Sequence, residues 1–246
     1  MRRHKHGIRE GSPIANALIY LITAICCLVT VYPMYYVLIR SVSAPEHALL
    51  GDMFLLPKGF DLTSYKVIFG DATMWQAYGN TLLYVVATTI LMLLFCTLCA
   101  YPLCMPSLMG KKYVVTYLLI PMYFSGGLIP TFLVMNRLGL YNNIWAIILP
   151  GSISIWNIIL TRTYFASIPD TIRESASIDG ANHFTILWRI YAPLAKPILA
   201  VIAIYTIVIT WNSWFNAMVY LPDTTLQPLQ LYLRRVLIAN TVDLSK

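Results

Sequence analysis

Five long apolar blocks, at about 14–39, 81–105, 113–135, 144–165 and 193–211, leave this chain little choice of environment. Crossing about 30 Å of hydrocarbon at about 1.5 Å per residue takes roughly 20 residues, and each block is near or above that length. Backbone donors and acceptors inside lipid must pair with each other, so each block is expected as a helix. Composition agrees. Only 11% of residues are charged, against about 25% in a soluble domain, while 59% are hydrophobic. The expected fold class is an all-α integral membrane protein, a polytopic helical bundle. The block from Ile14 to Ile39 is too long for a cleaved leader and no small-x-small site follows it, so it reads as an uncleaved first span. Residues 1–13 form a basic N-terminus, and 14–246 are expected as one membrane domain.

A net charge of +7 raises the question of a nucleic-acid partner. The cations sit in short segments between apolar blocks, with no basic face interleaved with aromatics, which argues against one. Their distribution speaks instead to orientation. With the N-terminus inside, Arg2, Arg3, Lys5, Arg9, Lys111, Lys112, Arg162, Arg173, Arg189 and Lys196 are cytoplasmic. Arg40, Lys58, Lys66, Arg137, Arg234, Arg235 and Lys246 then lie outside, so the excess is internal. Cys26, Cys27, Cys96, Cys99 and Cys104 all lie in apolar blocks. Cys96 and Cys99 form a CxxC without a nearby His or acid, so they read as small buried hydrophobes and not as a metal site.

The segment 166–192, between the fourth and fifth blocks, carries the most information. Ser167-Ile-Pro-Asp170 fits a capping box with Ser167 as N-cap and Asp170 at N3. A helix is expected to run to Asp179 and end at a left-handed Gly180. A second helix follows, on which Phe184, Leu187, Trp188 and Tyr191 fall on one 3.6-period stripe, closed by Pro193 and Pro197. Ser175, Ala176, Ser177, Gly180 and Ala181 give the first helix a surface that another protein can approach closely. Glu174 and Asp179 place charge at its edge. Two capped helices jointed at a glycine suit docking better than they suit a solvated connector.

Glu174-Ser-Ala-Ser-Ile-Asp-Gly-Ala181, followed by Trp188-Arg-Ile-Tyr-Ala-Pro193 and Pro197, resembles the EAA motif of permease subunits in binding-protein-dependent ABC importers. It departs at Ser175 and Ala192, both small changes. Trp211-Asn212-Ser-Trp214, the stretch from Leu56-Pro57 to Tyr65, and Ser125-Gly-Gly-Leu-Ile-Pro130 are similar to the carbohydrate-uptake branch, of MalG-like and LplC/YtcP-like character. The resemblance implies a MetI/MalG-like bundle whose first cytoplasmic helix enters a cleft of a separate ATPase. Glu174, Ser175, Ala176, Asp179, Gly180, Ala181, Trp188 and Pro193 are the coupling residues it implies. It also implies a second homologous permease, an extracellular solute-binding lipoprotein, a sugar or oligosaccharide cargo and a bacterial plasma membrane. ATP and magnesium would sit on the ATPase, with no cofactor on this chain. Relatives of this type carry six spans here, and the sixth is not visible before Lys246. Leu226 to Ile238 reads instead as a short amphipathic helix with Leu229, Leu233, Val236 and Leu237 on one side.

The rival classes lack their chemistry. Ion coupling needs ionisable groups within spans, yet the blocks from Thr81 and from Tyr113 contain none, and Arg162 and Lys196 stand near helix ends. Gly110-Lys-Lys has no partner glycine for a phosphate loop. His4, His6, His47 and His183 are scattered, and no nucleophile or paired-carboxylate pattern assembles. A non-transporting scaffold would share the hydropathy without needing a docking helix. For a substrate path, Gly126 and Gly127, with Pro121 and Pro130, interrupt the third block and free carbonyls there. Asn157, Trp211 and Asn212 offer amides and an indole, with Asn216 and Trp214 nearby. Helix packing, interhelical hydrogen bonds and interfacial anchoring of Trp211, Trp214 and Tyr220 are the structural alternatives.

Overall fold

The computed structural model describes residues 13–51 and 54–243. The basic N-terminus with Arg2, Arg3, Lys5 and Arg9, and Lys246 at the other end, lie outside them. The chain gathers into two compact units, 1–71 and 72–246, where one membrane domain over 14–246 is the sequence expectation.

The first unit is built on α1 (Pro13–Ser41), which covers the first block. No residue of the most apolar stretch of this helix is buried within the chain. After α2 (Pro45–Leu50) the chain turns back on α1. The hydroxyls of Tyr35 and Tyr32 donate to the carbonyls of Leu55 at 2.7 Å and Phe54 at 3.3 Å. An isolated antiparallel bridge joins Ser43 to Phe60, and α3 (Thr63–Gly70) follows. Asp61 starts α3 by accepting the Thr63 amide and hydroxyl at 2.8 and 2.6 Å. Those bonds hold its carboxyl below the usual aspartate range. The segment between the first two apolar blocks is thus largely helical.

The second unit is built around α4 (Ala72–Cys104), which begins nine residues before the block expected from Thr81. Tyr84, Thr88, Met92, Cys96 and Ala100 recur every four residues and are all buried, the spacing of one helix face. Against that stripe lie α7 (Trp145–Gly151), α8 (Ile155–Ala166) and α12 (Lys196–Trp211). Their side chains stack in three layers along α4. One end holds Tyr84, Ile148, Ala217, Leu221 and Leu231. The middle holds Met92, Cys96, Leu103, Ile158 and Ile202. The far end holds Ala100, Tyr101, Met105, Phe165, Ile186, Leu187, Tyr191 and Ala195.

Two blocks are bent, the third at the interruption expected around Gly126 and Gly127 and the fifth without such an expectation. The third is α5 (Lys111–Tyr123) and α6 (Leu128–Arg137), meeting at 114°. Gly127 makes the corner with φ +84° and ψ −176°, a region that is essentially glycine's alone. Pro121 lies inside α5, not at the break. The pair still runs the length of the bundle. Lys111 donates to the carbonyls of Cys104 and Met105 at one end, and Met135 packs with Ala146 and Tyr220 at the other. In the fifth block the helix from His183 to Leu194 meets α12 at 76°, so the apolar rod starts at Lys196 and Pro193 belongs to the preceding arm. Among the described residues three helices are long and apolar enough to cross a membrane, and up to five spans result if each bent pair counts as one.

The Tyr84 end is closed by the returning tail of α13 (Phe215–Tyr220), a 3₁₀ turn at Thr224–Leu226 and α14 (Leu229–Asp243). Asn80 donates to the carbonyls of Thr225 and Gln227, Tyr84 donates to Leu226, and the Leu229 amide donates to Thr81. The inward residue of α14 is Leu231. Leu233, Val236 and Leu237, expected together on its apolar side, are exposed. Tyr220 is buried and stacks on Phe132, so it is core and not an interfacial anchor.

Gly151 brings α7 close to α4. A Cβ there would stand 3.0 Å from Cγ2 of Thr88. Gly151→Val is expected to force the helices apart and cost about 1–3 kcal/mol, read as a lower melting temperature in detergent. Thr88→Ser removes the opposing methyl and should restore most of the stability of Gly151→Ala.

Candidate coupling site and transport cavity

The segment 166–192 folds as two helical arms, but not with the expected caps. α9 (Asp170–Ile178) has Pro169 as N-cap with no side-chain bond, so Asp170 opens the helix instead of standing at N3. The Ser167 hydroxyl donates back to the Tyr164 carbonyl at 2.7 Å, closing α8. The C-terminus is as expected. Gly180 has φ +79°. The Gly180 amide bonds Ser177 O at 3.1 Å and the Ala181 amide bonds Ala176 O at 2.9 Å. These are the paired bonds of a Schellman motif, which satisfies the last carbonyls and reverses the chain. Ala176 and Ala181, which such a motif brings together, pack on the same core layer as Tyr101, Phe165 and Tyr191.

The second arm begins at Asn182, whose Oδ1 accepts from the Thr185 amide and hydroxyl at 2.8 and 2.9 Å. It runs through α10 (His183–Ile186), a π-helical stretch at Leu187–Tyr191, and α11 (Ala192–Leu194). The π winding overturns the expected stripe. In an α-helix Ile186 and Tyr191 would lie about 140° apart. The wider i→i+5 turn, seen where the Ala192 amide bonds Leu187 O, lets Ile186, Leu187 and Tyr191 all face inward. Phe184 and Trp188 are pushed outward, 70% and 45% exposed.

At the base of the arms is an aromatic knot. Tyr191 makes edge contacts with Tyr101 at 5.2 Å and Phe165 at 5.4 Å. Tyr101 Oη lies 3.3 Å from His183 Nδ1. The Tyr164 hydroxyl donates to Leu194 O. Arg162 and Lys111 donate to the last carbonyls of α4, at Leu103, Cys104 and Met105, where cations suit the helix dipole. Thus α4, α5 and α8 converge on the jointed arms. Asn182, Tyr101, His183 and these capping cations are contributors that the sequence reading missed. The Asn-x-x-Thr run from 182 is a visible capping signal, whereas the Tyr101 contact spans 82 positions.

The outer surface of α9 carries Glu174, Ser175, Ser177, Asp179 and Gly180, all exposed, with Ile178 87% exposed at the tip. Arg173 reaches Asp170 at 3.4 Å and Glu174 at 3.7 Å; such exposed pairs orient more than they stabilise. Trp188 and Pro193 are exposed on the second arm. Beside it a cavity of about 410 Å³ opens between Tyr101, Met105, Met109, His183, Phe184 and Leu187. Among the described residues no three His, Cys, Asp or Glu side chains gather to hold a metal.

The residues singled out for a substrate path do not form one group. Asn157 lines a cavity of about 560 Å³ between α4, α7, α8 and α12, together with Asn216. Gly126 and Gly127 lie exposed at the α5–α6 corner. Trp211 packs edge-on against Tyr78 at 5.8 Å, and the Asn212 amide donates to Val208 O at 2.8 Å. Trp214 lies beneath the Arg234 guanidinium, 3.4 Å from its ring centre, a cation–π pair.

Residues 101–221, which include the arms, the knot and most of the lining of the cavity beside Asn157, match the family described as binding-protein-dependent transport system inner membrane component. Protein LplC of Bacillus subtilis is 36% identical over 212 residues, 86% of this chain and 72% of LplC. The polygalacturonan/rhamnogalacturonan transport system permease protein YtcP of the same organism is 34% identical, over 92% of this chain and 79% of its own length. A crystal structure of a bacterial ABC transporter involved in import of the acidic polysaccharide alginate superposes with a TM-score of 0.87 at 36% identity. That match covers 90% of this chain and 79% of the other. The bent arms at 166–192 therefore belong to a membrane transport subunit, and the chain is a member of the permease family of binding-protein-dependent ABC importers.

Proposed function

We propose that this permease carries a sugar or oligosaccharide inward, received from an extracellular solute-binding lipoprotein and driven by ATP hydrolysis on a separate subunit. In this reading residues 14–246 act as one membrane domain beside a second, homologous permease, with residues 1–13 on the cytoplasmic side. ATP and magnesium stay on the ATPase, and this chain contributes no catalytic group. Its coupling residues are Glu174, Ser175, Ala176, Asp179, Gly180, Ala181, Trp188 and Pro193.

The observation that carries the proposal is the Gly180 joint seated on the Tyr101–Phe165–Tyr191 knot. A push on the exposed tip of α9 passes through Ala176 and Ala181 into the packed ends of α4 and α8. Packed interfaces switch between discrete arrangements, so a small displacement there can rock whole helices. The sugar assignment draws on the relatives, several named for oligosaccharide systems, including an arabinooligosaccharides permease of Halalkalibacterium halodurans.

Two measurements test this. A Ser177→Cys variant is expected to react with an impermeant thiol reagent only from the cytoplasmic side; labelling from outside would overturn the orientation. Glu174→Lys reverses an exposed charge at the docking face and should cut uptake by about tenfold or more, with the protein still in the membrane. Unchanged uptake together with undiminished ATPase co-purification would defeat the docking role.

A further inference from the structure

The cavity between α4, α7, α8 and α12 is walled by two kinds of group. Trp156 and Tyr205 present exposed rings, 61% and 65% accessible. Around them stand Ser154, Asn157, Thr206 and Asn216. No Asp, Glu, Lys, Arg or His is among its lining residues.

The Thr206 hydroxyl is spent on the Ile202 carbonyl at 2.8 Å and Ser154 Oγ accepts the Asn157 backbone amide at 3.3 Å, whereas the two asparagine side chains keep donors and acceptors to offer. The Asn157 amide finds only the Met92 sulfur at 3.6 Å, a weak acceptor. Among the described residues, the side chain of Asn216 and the hydroxyl of Tyr205 make no hydrogen bond. Unpaired amides and hydroxyls facing hydrocarbon are heavily penalised. The same wall holds the break at 152–154 between α7 and α8. Interrupted backbone at membrane depth is tolerated where it lines protein or a watery path. Aromatic faces for apolar ring C–H groups, with amides and hydroxyls for the ring's own hydroxyls, suit a sugar. A carboxylate entering here would lose its hydration with no cation to pair it.

We infer that this cavity is the chain's own share of the translocation path and that it takes neutral sugar units in preference to uronates. The inference rests on the import reading above and narrows its substrate. It sets the chain apart from the matched transporter, whose cargo is an acidic polysaccharide.

The test uses the complete transporter in liposomes, with ATP supplied on the ATPase side. The probes are radiolabelled xylotriose, galactotriose and trigalacturonate. At least one neutral trisaccharide is expected to enter about tenfold faster than trigalacturonate. Asn157→Ala and Asn216→Ala should each slow its entry by about fivefold or more, while the second permease and the ATPase still co-purify. Thr210→Arg, which adds a cation to the same wall, should move the ratio about tenfold toward trigalacturonate. Faster entry of trigalacturonate through the unaltered transporter would overturn the inference and leave sugar import standing. Loss of the second permease from Asn157→Ala would also overturn it, showing the amide to be interhelical glue. Entry of none of the three would remove the import reading and this inference together.

Discussion

Replacing Gly180 with valine is expected to cut sugar uptake by about tenfold or more, because a left-handed backbone costs an L-residue about 1–2 kcal/mol and suits a β-branched one least. Gly180 sits at φ +79°, and among the described residues nothing beyond its chain neighbours lies within 4 Å of an added Cβ. Strain, not crowding within this subunit, is therefore what the substitution introduces. It acts on the paired bonds from Gly180 and Ala181 that turn α9 back onto the core. Two companions separate backbone from bulk. Asparagine enters the left-handed region more readily than other residues, so Gly180→Asn should retain more uptake than Gly180→Val. If a bare backbone for close approach of the ATPase is what matters, Gly180→Ala should instead be the best of the three. Full uptake by Gly180→Val, measured at equal membrane abundance, would show that the joint does not carry force.

The second large effect is expected at Tyr191. Truncating a large buried ring to alanine costs about 3–5 kcal/mol, and here it also empties the centre of the knot between Tyr101 and Phe165. Tyr191→Ala should leave a transporter in which ATP is hydrolysed and little sugar moves. Tyr191→Leu, with a smaller void, keeps the test usable if the alanine variant fails to fold, and its uptake should still fall by about tenfold. Tyr191→Phe should stay near the parent, because the ring contacts, and no hydrogen bond of the hydroxyl among the described residues, hold it in place. Normal uptake by the leucine variant would show that coupling runs by another route.

Much of this architecture was legible from residues alone, for identifiable reasons. Lipid forces long apolar helices, so the five blocks stand out. Asp-Gly after a helical run announces a left-handed stop, and Gly180 provides one. What periodicity cannot express is direction. Neither the 114° corner at Gly127 nor the 76° bend before Lys196 changes the apolar count. Winding is equally hidden, and the π turn at 187–191 broke the stripe drawn through Phe184 and Trp188. Ser167 looked like a cap because serine favours helix starts, yet the Tyr164 carbonyl three residues back took its hydroxyl first. On the site itself, the exposed surface of α9 follows from the motif. The cavity beside Asn157 needs α4, α7, α8 and α12 brought together, which no local pattern encodes.

The bareness of α1 has a consequence for how this chain tolerates change. Two helices of similar apolar character differ sharply in company. The core stretch of α4 is 39% buried within the chain, and that of α1 is 0% buried. Within the most apolar stretch of α1, swapping one aliphatic residue for another displaces no buried neighbour of its own chain, whereas Ile39 near its end is buried, so drift in that stretch is limited mainly by what lipid or a neighbouring subunit demands. The same exchange at Met92 or Ile202 must be accommodated by residues already in contact. Substitutions harmless by hydropathy should therefore accumulate unevenly, freely in the first helix and sparsely along the inward edge of the fourth.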